Sequence, residues 1–274
     1  TMPPPAPGTR RGLVIRGTIV AGLAIVLAWS WHGTEMNLLT LARSGHRLVE
    51  FLDDMFPPDV AWSYALDDPH PFPPPLRLAG KVVADTLQIS LLGTALGTAA
   101  ALVLGFLASE NLTPHWVHHP LKILLAMLRS IPVVILALLF ARAIGLGAFP
   151  GVLAIAIHSI GMLGKLFAEE CETVDVGVWE AMDSAGASWL QKVRYAIWPQ
   201  VAPQIYSLTL FRLDMNIRDS AVLGLVGGVG LGLWIENYRK VPGGYPAVAT
   251  MVIITMLVVL TVDQASFHIR RRLK

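Results

Sequence analysis

The 274-residue chain has one cysteine, Cys171, which excludes an internal disulfide and a thiolate cage around a metal. Charge is scarce too: 15% of residues are charged, against about 25% in soluble domains. A net charge of +2 says little about partners, and nothing marks nucleic-acid binding. No period of about 20–50 residues recurs, which excludes a solenoid. There is no G-x-x-x-x-G-K-[ST] loop, and Gly161-Met162-Leu163-Gly164-Lys165 is too short to be one, so the chain has no Walker site for ATP. His115, His118 and His119 lie close together without an acidic or cysteine partner at ligand spacing, which argues against a zinc site. No paired motif supports an intramembrane enzyme built on Asp214, Asp219 or His158, so no catalytic residue is assigned. His158 is expected to be a hydrogen-bonded packing residue.

What the chain does have is apolar length. Hydrophobic residues make up 54% and the mean hydropathy is +0.58. A helix crossing a bilayer core of roughly 30 Å needs about 20 apolar residues. Thr86–Ser109, Ala143–Gly164 and Val241–Val262 carry no charge and meet that length. Ile123–Ala141, with Arg129 near one end, predicts a further span. Gly12–Trp31 predicts another, because it is too long for a signal h-region and lacks a small-residue cleavage site. Val201–Leu225 completes an all-α integral membrane protein of about six transmembrane helices, although it contains Arg212, Asp214, Arg218 and Asp219. An even number of spans puts both termini on one side. Arg10, Arg11 and Arg16 at one end, and Arg270, Arg271, Arg272 and Lys274 at the other, make that side cytoplasmic by the positive-inside rule, with Arg142 a mild exception. Residues 32–85 then lie outside. They are rich in acid (Glu50, Asp53, Asp54, Asp59) and in helix-breaking proline (Pro57, Pro58, Pro73, Pro74, Pro75), with a short external helix expected within Leu38–Phe56. The expected organisation is 1–85, an N-terminal span with its external segment, and 86–274, the transmembrane domain proper.

Ionisable side chains in a span are expensive, about 2.5–3.5 kcal/mol each on insertion scales, so those of the fifth span must meet one another, a partner or water. At 100° per residue Arg212, Asn216 and Asp219 share one face, and Asp214 and Arg218 form a four-residue pair on another. Two explanations stay open. Arg212, Asn216 and Arg218 line a path for an anion, whose oxygens match the guanidinium fork, or Asp214–Arg218 and Arg212–Asp219 are internal ion pairs that only hold helices together. The glycines that follow, Gly227, Gly228, Gly230 and Gly232, serve either a gate or dimer contact or plain helix packing.

The cytoplasmic loop at about 169–200 holds Glu180-Ala181-Met182-Asp183-Ser184-Ala185-Gly186, then Ala187 to Trp198 and Pro199. Trp179–Ser184 predicts a short helix with Glu180 near its start. Ala181, Ala185, Gly186 and Ala187 would let another surface approach closely. Leu190, Val193 and Ile197, beside Trp189, predict a second, amphipathic helix ended by Pro199, which starts the next span. Such a pair is either a knob that docks into a soluble partner or an ordinary amphipathic loop.

This pattern resembles the E-A-A-x-x-x-G loop of ABC importer permeases, with Glu180, Ala181, Gly186 and Pro199 on the motif and Met182 in place of its third small residue. Further blocks extend the likeness over nearly the whole chain. They include Asn111-Leu112-Thr113-Pro114, Arg129-Ser130-Ile131-Pro132, Gly145-Leu146-Gly147-Ala148-Phe149, Asn216-Ile217-Arg218 and Val222-Leu223-Gly224-Leu225. Together they are most similar to the phosphonate ABC-transporter permeases. Val133 and Val134 depart from an acidic residue common there, and Gly227-Gly228-Val229-Gly230-Leu231-Gly232 departs from the usual glycine turn. The resemblance implies the ABC type I importer permease fold in a bacterial inner membrane and a homodimer. It also implies docking of ABC ATPase subunits at Glu180, Ala181, Gly186, Trp189 and Pro199, and an external phosphonate-binding protein. The chain itself would carry no cofactor, with ATP and Mg held by the ATPase. Phosphonate is the implied cargo, with phosphate or phosphite as alternatives. A membrane sensor or scaffold that uses the loop to bind another protein is the alternative from a different class.

Overall fold

A computed structural model describes residues 10–34, 37–61, 63–64, 71–227 and 229–273. The chain divides into two compact units, Thr1–Asp53 and Asp54–Lys274. A division at Asp85 would fall inside a continuous helix. Among the described residues all regular structure is helical.

The first unit contains α1 (Arg10–Gly33), α2 (Leu38–Arg43) and most of α3 (Gly45–Met55). Leu13, Ile19, Leu23, Leu27 and Trp29 of α1 are exposed around the helix, as lipid-facing side chains should be. The short helix expected within Leu38–Phe56 is two, separated at Ser44.

In the second unit α4 (Pro75–Ala108), α7 (Ala148–Glu172), α10 (Trp198–Gly227) and α12 (Tyr245–Leu273) are the long helices. Among the described residues α1, α4, α7 and α12 are long and apolar enough to cross a membrane. With 30 residues at 1.5 Å each, α10 is about 45 Å long, and its charges are what set it apart. Packing of α4 on α7 is close because small residues let the backbones meet: a methyl group on Gly97 would lie 2.7 Å from Ser159 Cβ and 2.8 Å from the Ala156 carbonyl oxygen.

Two expectations need correction. The predicted span Ile123–Ala141 is not one helix. It is α5 (His115–Ser130) and α6 (Val133–Ile144), bent by 84°. Pro132 lacks an N–H and disfavours helical geometry at Ile131, which is extended (φ −84°, ψ 118°). The carbonyl oxygen freed at Ile131 accepts from His158 Nδ1 at 3.0 Å, the packing role expected of that histidine. Pro199 lies at the start of the next span as expected, but it does not stop the helix before it. The chain runs from α9 (Trp189–Lys192) through a π-helical turn (Val193–Ile197) straight into α10. In that turn the Trp198 N–H donates to the Val193 carbonyl. The widened turn accommodates a residue that has no N–H to give and whose ring crowds the preceding turn.

Beyond α10, α11 (Leu231–Arg239) folds back as a short helix. Its Leu231 and Tyr238 join Val82, Ala247, Val248 and Met251 in a buried cluster, and Tyr238 Oη donates to the Pro73 carbonyl.

Candidate functional site

Two groups of residues concentrate chemistry, and α10 joins them. At its N-terminal end, α8 (Val176–Ser184) and α9 form a helical knob. Asp175 caps α8 by accepting from the Gly177 N–H at 2.9 Å. Glu180 is therefore in mid-helix and exposed, not near the start as the sequence suggested, because the cap lies at Asp175 and not beside Trp179. The far end closes in a Schellman arrangement: the Ala187 N–H donates to the Met182 carbonyl (3.0 Å) and the Gly186 N–H to that of Asp183 (2.9 Å). Gly186 has φ +70° with open space beside its α-carbon. Backbone conformation, not close approach within the chain, is what calls for glycine there. Ser188 and Gln191 then form a capping box that starts α9.

The knob is fastened to the base of the bundle. Trp189 Nε1 donates to the Leu112 carbonyl at 3.0 Å, in the turn between α4 and α5. Lys192 pairs with Asp183, and its ammonium sits 4.6 Å from the centre of the Trp179 ring. Trp179, Met182 and Val193 pack on a buried cluster of Phe106, Leu112, Phe167, Cys171, Ala196 and Ile197. Met182 thus fills space under α8, which explains why a larger side chain than alanine fits there. Below the same turn, Lys122 Nζ bridges Glu110 (2.7 Å) and Glu172 (2.8 Å). Glu110 has its pKa lowered, mainly by the hydrogen bond from Lys122 and then by its charge. The outer face of the knob stays exposed, with Leu190 at 68%, and so does Tyr195 (62%) in the π turn that follows it.

The second group lies along the middle of α10. Asn216 is fully buried, and its Nδ2 donates to Thr94 Oγ1 (2.7 Å) on α4 and to Ser159 Oγ (3.0 Å) on α7. Arg212 Nε donates to the same Ser159 hydroxyl at 3.2 Å. Arg212 also faces Asp219 at 3.6 Å, and Arg218 pairs with Asp214 at 2.6 Å. Both pairings match the faces read from the sequence. The two arginines differ in access: the Arg212 side chain is 1% exposed and that of Arg218 52%.

Past this group, α10 ends at Gly227, and Gly228 lies outside the described residues. Gly230 (φ +84°) turns the chain, and the Leu231 N–H donates to Thr86 Oγ1 at 3.1 Å. Gly232 sits against α10 so tightly that a methyl group would lie 2.2 Å from the Ala221 carbonyl oxygen. Within one chain Gly230 and Gly232 make a tightly packed helix reversal.

Sequence reasoning missed Thr94, Ser159 and Leu112 as partners. Thr86, Ser90, Thr94 and Thr98 recur every fourth residue in α4, a polar stripe that pointed to a polar neighbour. Among the described residues no cluster of His, Cys, Asp and Glu could hold a metal ion.

Comparison with known proteins adds to this geometry. The family profile described as "Binding-protein-dependent transport system inner membrane component" matches residues 101–274. The chain is 33% identical over 259 residues to the phosphite transport system permease protein PtxC of Stutzerimonas stutzeri, covering 94% of this chain and 89% of that one. It is 35% identical over 250 residues to the phosphate-import permease protein PhnE of Mycolicibacterium smegmatis, covering 90% of this chain but 43% of that longer protein. The fold matches the inward-facing MetNI methionine ABC transporter with a TM-score of 0.65 at 21% identity, over 73% of this chain and 97% of that one.

Proposed function

The chain belongs to the binding-protein-dependent transport system inner membrane component family, and from that premise we propose that it is the permease of an ATP-driven importer for a tetrahedral phosphorus oxyanion. Phosphonate is the cargo suggested by the resemblance. Phosphite and phosphate, named for the two relatives, share its charge and shape. The observation that carries the proposal is the knob: it is fastened to the bundle through Trp189 and Lys192, yet it presents Glu180 and Leu190 outward. Such a rigid exposed lever suits a separate ATPase, which holds the ATP and Mg and does the hydrolysis. With one lever per chain, a homodimer meets two ATPases. Both termini and the knob then face the cytoplasm, and a binding protein delivers cargo from outside.

In this scheme ATPase closure moves α8 and α9, and the π turn passes the motion into α10. Arg212 and Asn216 donate to Ser159 and Thr94, and Arg212 faces Asp219, so they hold α10 in register, although Arg212 Nη2 and Asn216 Oδ1 have no hydrogen-bond partner. Arg218 is the pathway residue, because half its side chain is exposed. Asp214 competes with the anion for its guanidinium, which keeps the contact weak enough for release.

The test is uptake and ATP hydrolysis by the reconstituted complex, with binding protein loaded in turn with phosphonate, phosphite and phosphate. Stimulation by at least one of them is expected. The neutral pair Asp214→Asn/Arg218→Gln should keep assembly and lose most transport; wild-type flux in that variant would remove Arg218 from the pathway. Stimulation by none of the three would overturn the cargo.

A further inference from the structure

Near the C-terminal end of α12 a cavity of about 280 Å³ opens between that helix and α10, lined by Ser207, Phe267, Arg270 and Arg271. Arg270 Nε donates to the Ser266 carbonyl (3.3 Å), and the Arg271 guanidinium lies 5.6 Å from the Phe267 ring centre. Among the described residues neither guanidinium has a carboxylate within 4.0 Å, unlike Arg212, Arg218 and Arg239. The cavity therefore holds two uncompensated cations and a hydroxyl, between two helices, at the level where a span leaves the bilayer. A phosphate group fits that donor set, because the guanidinium fork matches its oxygens.

The surface next to the cavity identifies the source of the phosphate. At 100° per residue Met256, Leu260, Phe267, Arg270 and Arg271 fall within about 100° of arc on α12, an arc that also takes in the half-buried Asp263. Met256, Leu260 and Phe267 are 58%, 55% and 49% exposed. Exposed apolar side chains thus lie beneath the two arginines on either side of the half-buried Asp263. We propose that this cavity binds the headgroup of an anionic phospholipid, with its phosphate on Arg270, Arg271 and Ser207 and an acyl chain along Phe267, Leu260 and Met256. Basic pockets between spans are the expected sites for such lipids. Bound there, the lipid ties α12 to α10, the helix that leads from the knob to the charged middle. The inference rests on membrane residence alone and stands whatever the cargo.

The test is native mass spectrometry of the full chain in its assembled complex, released from nanodiscs of phosphatidylcholine with graded phosphatidylglycerol. Wild-type protein should retain phosphatidylglycerol selectively. Arg270→Gln/Arg271→Gln should weaken retention about thirtyfold, from roughly fivefold per basic residue at a charged surface. If that variant fails to insert, Ser207→Leu, which fills the cavity without removing charge, should abolish selectivity alone. Millimolar inorganic phosphate should not displace the lipid. Equal retention by wild type and variants would overturn the site, and displacement by inorganic phosphate would overturn the lipid as its source.

Discussion

The two functional regions of α10 are built in opposite ways. At the knob, polar groups close helix ends and leave an exposed outer face: Asp175, Gly186 and Ser188 define two short helices, and Trp189 and Lys192 anchor them. In the middle of α10, polar groups are turned inward and bond across three helices, with Arg212 Nη2, Asp214 Oδ1 and Asn216 Oδ1 left without hydrogen-bond partners, and Arg218 is half exposed. The first arrangement offers a surface to something outside the chain. The second ties α10 to α4 and α7.

The comparison is broken most severely at its buried half. Arg212→Leu strands Asp219 and removes a donor to Ser159, so it should destabilise the protein by about 3 kcal/mol, read by denaturant unfolding in micelles. An unchanged midpoint would mean that Arg212 does not hold α10. At the knob, Gly186→Val forces a β-branched residue to φ +70° and should weaken the cap by about 1–2 kcal/mol. Binding-protein stimulation of ATP hydrolysis should fall while membrane insertion persists. Gly186→Asn, which tolerates that conformation, should retain stimulation, and equal loss in both variants would point to contact rather than backbone geometry. Trp189→Phe deletes one hydrogen bond to Leu112 and should cost about 1 kcal/mol, seen as faster amide exchange in the knob with the middle of α10 unaffected. The smallest effect concerns Glu110, whose pKa is lowered by Lys122. The pair's contribution is complete above the ordinary carboxylate pKa and is lost as pH falls through the lower folded value. Glu110→Gln should remove that acid-side slope and lower stability slightly at neutral pH, where the pair is complete, while leaving the acid limit unchanged.

Much of this was legible in the sequence, for identifiable reasons. Apolar length marked α1, α4, α7 and α12, and a 100° wheel paired Arg212 with Asp219 and Asp214 with Arg218, because both rest on local spacing. The break at Pro132 was hidden, since hydropathy runs unbroken through Ile131 and only backbone geometry stops the helix there. The π turn was hidden for the converse reason: Pro199 reads as a stop, and only a local widening lets the helix pass. Thr94 and Ser159 were missed as partners of Asn216 because their proximity depends on how tightly α4 meets α7 at Gly97, a tertiary property. Gly186 was found by its motif, but its reason, a left-handed cap, emerged only with the backbone.

The central claim is that the knob is where a separate ATPase grips the chain. Leu190 is 68% exposed on it, and the native Cys171 is buried at 1%, so Leu190→Cys supplies a selectively reactive thiol. Cross-linking from that thiol in the assembled complex should capture the ATPase subunit, with a yield that changes when ATP is added, whereas a thiol placed at Val103, 61% exposed within the apolar stretch of α4, should capture none. Absence of any cross-link from position 190 to an ATPase, in a complex that still transports, would contradict the account.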